Sequence, residues 1–202
     1  MEKEEIKKFL QSFENKKDRA IVIVDYGNVE KWKNSLKWDV GIRELSIFIK
    51  NFTANKFLRR FYYGSDYGKN ENSEILVLWS EKVLETAKFN NFNIATKRVK
   101  YIHDSNSVYG FNKKCDLDVE MAIDLVKERD NYDTIILFSG DGDLMHAVRY
   151  LKEEYKKMCY VFGARDHIGR EVFDAKKEGY IKEVLFAEDF EYRLRSNRFK
   201  KW

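Results

Sequence analysis

The sequence predicts an α/β protein, a three-layer sandwich in which helices cover both faces of a mainly parallel central sheet of about five strands. Three observations carry that expectation. Short apolar, β-branched segments alternate with amphipathic ones along the chain, the pattern of βαβ units. Two of those segments, Ile21-Val22-Ile23-Val24 and Ile135-Ile136-Leu137-Phe138, run straight into acids: Asp25 after the first, and Ser139-Gly140-Asp141-Gly142-Asp143 after the second. The 202 residues contain no proline, and neither a low-complexity linker nor an internal repeat marks a boundary between folding units.

Taken in order, Ile6, Phe9, Leu10 and Phe13 recur at helical spacing and predict an amphipathic helix over residues 2 to 16. Strands are expected near residues 20 to 24, 57 to 63, 93 to 99, 133 to 138 and 158 to 162. Helices are expected near 40 to 54, 73 to 90, 118 to 130, 143 to 154 and 168 to 177. A short strand around residues 181 to 185 and a basic helix from about Glu188 complete the chain. The organisation is therefore an N-terminal helix in residues 1 to 17, the sandwich in 18 to 187, and a basic C-terminal helix or tail in 188 to 202.

A chain of this length with 44% hydrophobic and 15% aromatic residues can bury a substantial core. No apolar run approaches the roughly 18 residues that span a bilayer. The charged start, Met1-Glu2-Lys3-Glu4-Glu5, does not resemble a secretory signal, so a cytoplasmic protein with no membrane partner is expected. Cys115 and Cys159 lack zinc-site spacing and read as free thiols. Net charge is only +4, but it is unevenly spread. Lys88, Lys97, Arg98, Lys100, Lys113 and Lys114 face a single acid, Asp104, within their stretch. Arg193, Arg195, Arg198, Lys200 and Lys201 face Glu191 in the tail.

Acids that end parallel strands lie on one side of the sheet, where open α/β folds place their ligands, so Asp25 and Asp141 converge if their strands are neighbours. Asp143 stands where the next helix begins, which also suits an N-cap. A third source is Lys114-Cys115-Asp116-Leu117-Asp118-Val119-Glu120-Met121-Ala122-Ile123-Asp124, where acids in a first helical turn also stabilise the helix dipole. Asp118 falls in line with Met121, Ala122 and Leu125, the face expected to pack on the sheet. Glu120 and Asp124 point away from that face and are expected to be solvated. Asp118 is the better ligand candidate, with Asp116 second. Clustered carboxylates repel one another unless a cation compensates them, and an oxygen-only donor set selects Mg²⁺ or Mn²⁺.

At these three motifs, Asp25-Tyr26-Gly27-Asn28, the Lys114 to Asp124 run and Ser139 to Asp143, the sequence resembles the NYN domain family of PIN-like metal-dependent ribonucleases. The resemblance covers about residues 18 to 187. It implies a sheet of about five parallel strands, cleavage of single-stranded RNA and a Mg²⁺ or Mn²⁺ centre. By motif position, Asp25, Asp118, Asp141 and Asp143 would form the catalytic acidic cluster. Asn28 would orient a ligand or phosphate, and Ser139 would support the Asp141 turn. The chain departs from the family pattern at Tyr26, which precedes Gly27, at the added Asp116, and at Gly169 and Arg170, where the family often has a serine and further acids.

Lys97, Arg98, Lys100, Tyr101, Lys113 and Lys114 combine cations with an aromatic ring just ahead of the Asp118 helix, a composition suited both to single-stranded nucleic acid and to a lysine-protected strand edge. Asn28 also suits a simple turn. His146 lies one helical turn after Asp143, where an ordinary surface or packed histidine is commoner than a functional one; His103 and His167 have no partner visible in sequence. Trp32, Trp38 and Trp79 suit core, substrate platform or homodimer surface alike. The expected function is a metal-dependent endoribonuclease acting on single-stranded or structured RNA; the alternative is an RNA-binding or regulatory module with little turnover. A small-ester phosphohydrolase ranks below both, because Gly27 stands where an Asp-x-Asp motif needs its second acid and no GxxxxGK[ST] loop is present.

Overall fold

A computed structural model describes residues 2–13 and 19–197 of the chain. Residues 14–16 of the expected first helix, and the tail residues Arg198, Phe199, Lys200, Lys201 and Trp202, lie outside the described residues. The strands are β1 (Ala20–Asp25), β2 (Arg59–Ser65), β3 (Asn93–Arg98), β4 (Lys100–His103), β5 (Phe111–Lys114), β6 (Thr134–Phe138), β7 (Met158–Gly163) and β8 (Glu183–Phe186). The helices are α1 (Lys3–Gln11), α2 (Tyr26–Val29), α3 (Lys33–Leu36), α4 (Ile42–Ile49), α5 (Leu78–Phe89), α6 (Asp118–Lys127), α7 (Met145–Tyr155), α8 (Arg170–Lys177) and α9 (Glu191–Leu194).

Among the described residues the central sheet has six strands in the order β3-β2-β1-β6-β7-β8, all parallel, while β4 and β5 pair separately as an antiparallel hairpin. The sixth strand is the late Glu183–Phe186 segment, which adds to β7. Chain order reverses at β1: β2 and β3 extend the sheet to one side, and β6 to β8 extend it to the other. Right-handed crossovers then put the connecting helices of the two halves on opposite faces. One core layer joins Val22 and Val24 to α1, α4, α5 and α9. The other joins Ile21 and Ile23 to α6, α7 and α8. With both faces covered, residues 20 to 24 of β1 are all fully buried, which is why the segment reads as continuously apolar rather than alternating.

The first layer is built largely of aromatic rings. Phe162 stacks on Phe138 at 4.6 Å and meets Phe48, Phe52 and Phe190 edge-on or tilted at 5.4 to 5.8 Å. Phe9 of α1 joins the same cluster, 6.3 Å from Phe162, so the amphipathic first helix is part of this core.

Three stretches differ from the sequence expectation. Helix α5 starts at Leu78 rather than near residue 73, because Arg98 donates to the carbonyls of Ser73 and Asn70 and Val77 N–H donates to the carbonyl of Asp66, holding the preceding segment as a loop. The expected loop after Tyr101 is instead the β4–β5 hairpin, paired from Lys100↔Lys114 to His103↔Phe111. Residues 26 to 36, for which no helix was expected, form α2, a 3₁₀ turn (Glu30–Trp32) and α3.

Phe162→Ala should lower unfolding free energy by about 3 to 5 kcal/mol, the usual result of emptying a buried aromatic site. Ile47→Ala, at a side chain 54% exposed, should stay within about 0.5 kcal/mol of the parent. Urea denaturation of the two variants checks both.

Candidate metal centre and cleft

The reversal at β1 leaves a crevice beyond the carboxyl ends of β1 and β6, the place where such sheets bind ligands. β1 and β6 are hydrogen-bonded neighbours up to Val24↔Phe138, so Asp25 and the Ser139 to Asp143 loop emerge side by side.

The two loops are tied by a chain of hydrogen bonds. Asp25 accepts from the Asn28 backbone N–H at 3.1 Å and from the Ser139 hydroxyl at 3.0 Å. Ser139 Oγ accepts from Asp141 N–H at 3.1 Å, and Asp141 Oδ1 accepts from Asp143 N–H at 3.1 Å. Asn28 crosses the gap: its Oδ1 accepts from Gly140 N–H at 3.1 Å and from the indole of Trp32 at 2.8 Å. Trp32 is fully buried, so Asn28 is anchored from the core side.

Gly140 is required by close approach. A Cβ there would lie 1.6 Å from the carbonyl oxygen of His167, and Gly169 N–H donates to the Gly140 carbonyl at 2.7 Å. The glycine that precedes Arg170 therefore packs the start of α8 against the acidic loop. Tyr26 is explained as well, since it is buried and stacks on Phe61 at 4.8 Å, leaving Gly27 to line the crevice.

Asp118 opens α6, whose Met121 and Leu125 are buried against the sheet. Asp118, Asp141 and Asp143 each offer a carboxylate oxygen, and these atoms all lie within 4.8 Å of one another. Asp25 sits beside this group rather than in it, and its charge reaches both Asp118 and Asp141. Asp116 lies outside the trio, exposed, with its Oδ1 accepting from Asp118 N–H at 3.2 Å. Asp143 does not cap α7: that helix begins at Met145 with Leu144 at the N-cap position. Its exposed carboxylate has no hydrogen bond or ion pair among the described residues.

Electrostatics follow from this crowding. Burial first, then the hydrogen bond and charge shared with Asp116, then the charges of Asp141 and Asp25, push the Asp118 carboxyl up to about 7. Asp116 moves the other way, held down by hydrogen bonds from Asp118. Asp25 is also raised, chiefly by burial and further by the Asp141 charge, against the hydrogen bonds from Asn28 and Ser139. Among the described residues no lysine or arginine forms an ion pair with any of these carboxylates. The donor set is all oxygen, which fits a hard divalent cation.

From the acids a cleft of about 420 Å³ runs past Tyr63 and Gly64 to Asp66, Trp79 and Lys113. Its far end is organised by Asp66, which the sequence reading passed over although it follows β2 as Asp25 and Asp141 follow their strands. The Asp66 carboxylate accepts from Lys113 Nζ at 2.7 Å, the Tyr101 hydroxyl at 2.7 Å and Gly68 N–H at 2.8 Å. Burial acts to raise this group, but the bonds from Lys113, Tyr101 and Gly68 prevail and hold it below the usual range. The hairpin is thereby latched to the sheet.

Lys97, Arg98 and Lys113, three of the cations of the expected RNA patch, hold the protein's own parts. Lys97 pairs with Glu120 at 2.8 Å and bonds the Asp116 carbonyl at 3.1 Å. Arg98 staples the 70–73 loop and lies over Tyr67 at 4.5 Å. Lys100 and Lys114, paired across the hairpin, are exposed. Glu120 and Asp124 are not simply solvated: beside the pair with Lys97, Asp124 accepts from the Tyr62 hydroxyl at 2.7 Å and lies 3.6 Å from Arg60. A helical wheel records the helix's own periodicity and not the side chains that β2 and β3 extend toward it. His146 is exposed on α7, Trp38 is core, and Trp79 is 48% exposed at the cleft.

Residues 8–183 match the NYN domain family. The chain belongs to that family. Within it, the chain is 36% identical over 70 residues to the low amplitude and bright protein LabA of Synechococcus elongatus (strain ATCC 33912 / PCC 7942 / FACHB-805), a match spanning 35% of this chain and 38% of that relative's length. The fold is shared with a protein of unknown function, VPA0982, from Vibrio parahaemolyticus RIMD 2210633. The TM-score is 0.59 with 17% identity, covering 86% of this chain and 95% of that one. This NYN domain thus has a nuclease-like fold with an aspartate cluster at its switch point. No helix among the described residues is long and apolar enough to cross a membrane.

Two outcomes test the geometry. The folded protein binds the Asp118 proton more tightly than the unfolded chain does, so this group lowers stability as pH rises from about 4 through about 7. In EDTA, Asp118→Asn should lose less stability than wild type between pH 5 and pH 8, measured by urea denaturation; parallel pH profiles would contradict it. Asp66→Ala should speed amide exchange in β4 and β5 at least about tenfold while leaving β1 and β6 unchanged, because the latch and not the sheet is removed.

Proposed function

We propose that this NYN domain is a metal-dependent endoribonuclease that hydrolyses phosphodiester bonds of single-stranded RNA. The observation that carries the reading is the convergence of Asp118, Asp141 and Asp143 within 4.8 Å, beside Asp25 and at the mouth of the cleft. Asp118, Asp141 and Asp143 would hold Mg²⁺ or Mn²⁺, whose uncompensated all-oxygen donor set matches a hard cation. Such an ion lowers the pKa of a bound water and neutralises charge that develops on a phosphodiester.

The chain's own residues supply position. Ser139 and Asn28 fix the Asp141 loop against β1 through the bonds to Asp25 and Gly140. The Asp143 carboxylate is exposed to solvent beside Asp118 and Asp141. Lys31 lines the cleft near Asp25 and acts on it electrostatically. Lys100 and Lys114 on the hairpin add positive potential, while Lys97, Arg98, Tyr101 and Lys113 support RNA contact by holding the cleft wall in place.

Purified protein should cleave labelled single-stranded RNA with Mn²⁺ or Mg²⁺ and stop in EDTA. Loss of partners outside the coordination shell of metal enzymes costs about 10- to 100-fold, so Asp141→Asn, which removes a ligand, should slow cleavage by more than about a hundredfold without lowering the melting temperature. Cleavage by that variant at the wild-type rate would refute the assignment. RNA binding that persists in EDTA, with no cleavage under any metal, would mark a binding module instead.

A further inference from the structure

Among the described residues the cations that line the cleft are Lys31 and Lys113. Lys113 is committed to Asp66, 2.7 Å away. Lys31 is exposed and has no hydrogen bond or ion pair among the described residues. Its backbone is nonetheless fixed, because it is the middle residue of the 3₁₀ turn Glu30–Trp32. On one side the buried Trp32 donates to Asn28 at 2.8 Å, and on the other Glu30 accepts from the Trp79 indole at 2.8 Å. The same loop starts at Asp25, whose carboxyl is raised by burial and drawn back down by the Lys31 charge. A cation is thus held within electrostatic reach of the acids without being neutralised by one of them.

The acids alone would turn a nucleic-acid strand away. Even with a divalent ion bound, three ionised carboxylates leave a net negative charge, which repels a phosphodiester. We propose that Lys31 supplies the missing attraction: its ammonium contacts a non-bridging oxygen of a backbone phosphate of single-stranded RNA, at the scissile linkage or one next to it. This rests on the nuclease reading for which linkage is cleaved. An ammonium is a point charge with three rotatable donors. It reads the charge of the phosphate and not the base attached to it, so the contact is blind to sequence.

The test uses the full chain carrying Asp141→Asn, so that the probe survives, and a short fluorescein-labelled single-stranded oligoribonucleotide. At about 0.1 M salt Lys31→Gln should weaken binding about two- to fivefold, the size of an exposed ion pair. It should also flatten the dependence of log affinity on log salt by about 0.7, the loss of one phosphate contact. Lys31→Arg should restore both, and the melting temperature should not change in either variant. A single 2′-deoxy methylphosphonate, which removes one backbone charge, is then moved along the probe and compared with a 2′-deoxy phosphodiester at the same place. One position should weaken the Lys31 protein but add nothing to Lys31→Gln. That penalty should persist in Lys33→Gln, which removes the same charge from an exposed side chain lining a separate hollow with Tyr26 and Asp39.

Unchanged affinity and salt slope in Lys31→Gln, or a methylphosphonate penalty that persists in it at every position, overturns the contact. Cleavage of the unmodified oligonucleotide by the chain with Asp141 intact is measured in parallel. A Lys31-dependent linkage farther from the cleaved bond than its immediate neighbours also overturns the contact. Lys31-dependent binding without cleavage leaves the contact standing and removes the nuclease reading. Cleavage with no Lys31 dependence does the reverse, and no oligonucleotide binding at all overturns both.

Discussion

Mutual repulsion among carboxylates is the constraint around which this molecule is arranged. Asp25, Asp118 and Asp141 act electrostatically on one another, and Asp143 joins Asp118 and Asp141 within ligand distance. Left to themselves such groups would separate or protonate. The loops carrying Asp25, Asp141 and Asp143 are held by backbone and neutral donors: Asn28 N–H and the Ser139 hydroxyl on Asp25, Asp141 N–H on the Ser139 hydroxyl, and Asp143 N–H on Asp141. Neutral donors orient carboxylates without cancelling their charge. The result is a site with fixed geometry and uncancelled negative charge, where burial first and the neighbouring carboxylates second raise Asp118.

Fixing that geometry involves the core. Asn28 joins the β1 and β6 loops through one oxygen that also accepts from buried Trp32. Gly140 allows the segment before α8 to close on the acidic loop at backbone distance. Each contact links the site to a different layer of the sandwich, so movement of the loop would disturb packing on both faces. Dense interiors resist such displacement, which makes the acidic loop a rigid part of the scaffold rather than a mobile appendage.

Away from the acids, the same economy of charge recurs with the opposite sign. Asp66 gathers Lys113, Tyr101 and the loop at Gly68, and Glu120 takes Lys97. A basic cluster that looks like a ligand surface in one dimension is in three dimensions largely a set of internal ties. Lys31 at the cleft and Lys100 and Lys114 on the hairpin remain exposed, on two separate segments.

What the sequence determined by itself was the set of elements and their acids. Continuous apolar strands, helical stripes and three acidic motifs in order are local periodicities, and local periodicity is what a chain of letters records. From them came the parallel sandwich, the family and the convergence of Asp118 with Asp141. Tertiary structure alone decided which loops touch. It showed Asp143 free of the α7 cap, Asp116 outside the trio, Asp124 bound to Tyr62, and Asp66 as the latch of an unexpected hairpin. It also separated buried Trp32 from half-exposed Trp79. These depend on pairs of residues distant in sequence, such as Asp66 with Lys113 or Asn28 with Gly140, whose interaction leaves no mark on the composition or spacing of either segment.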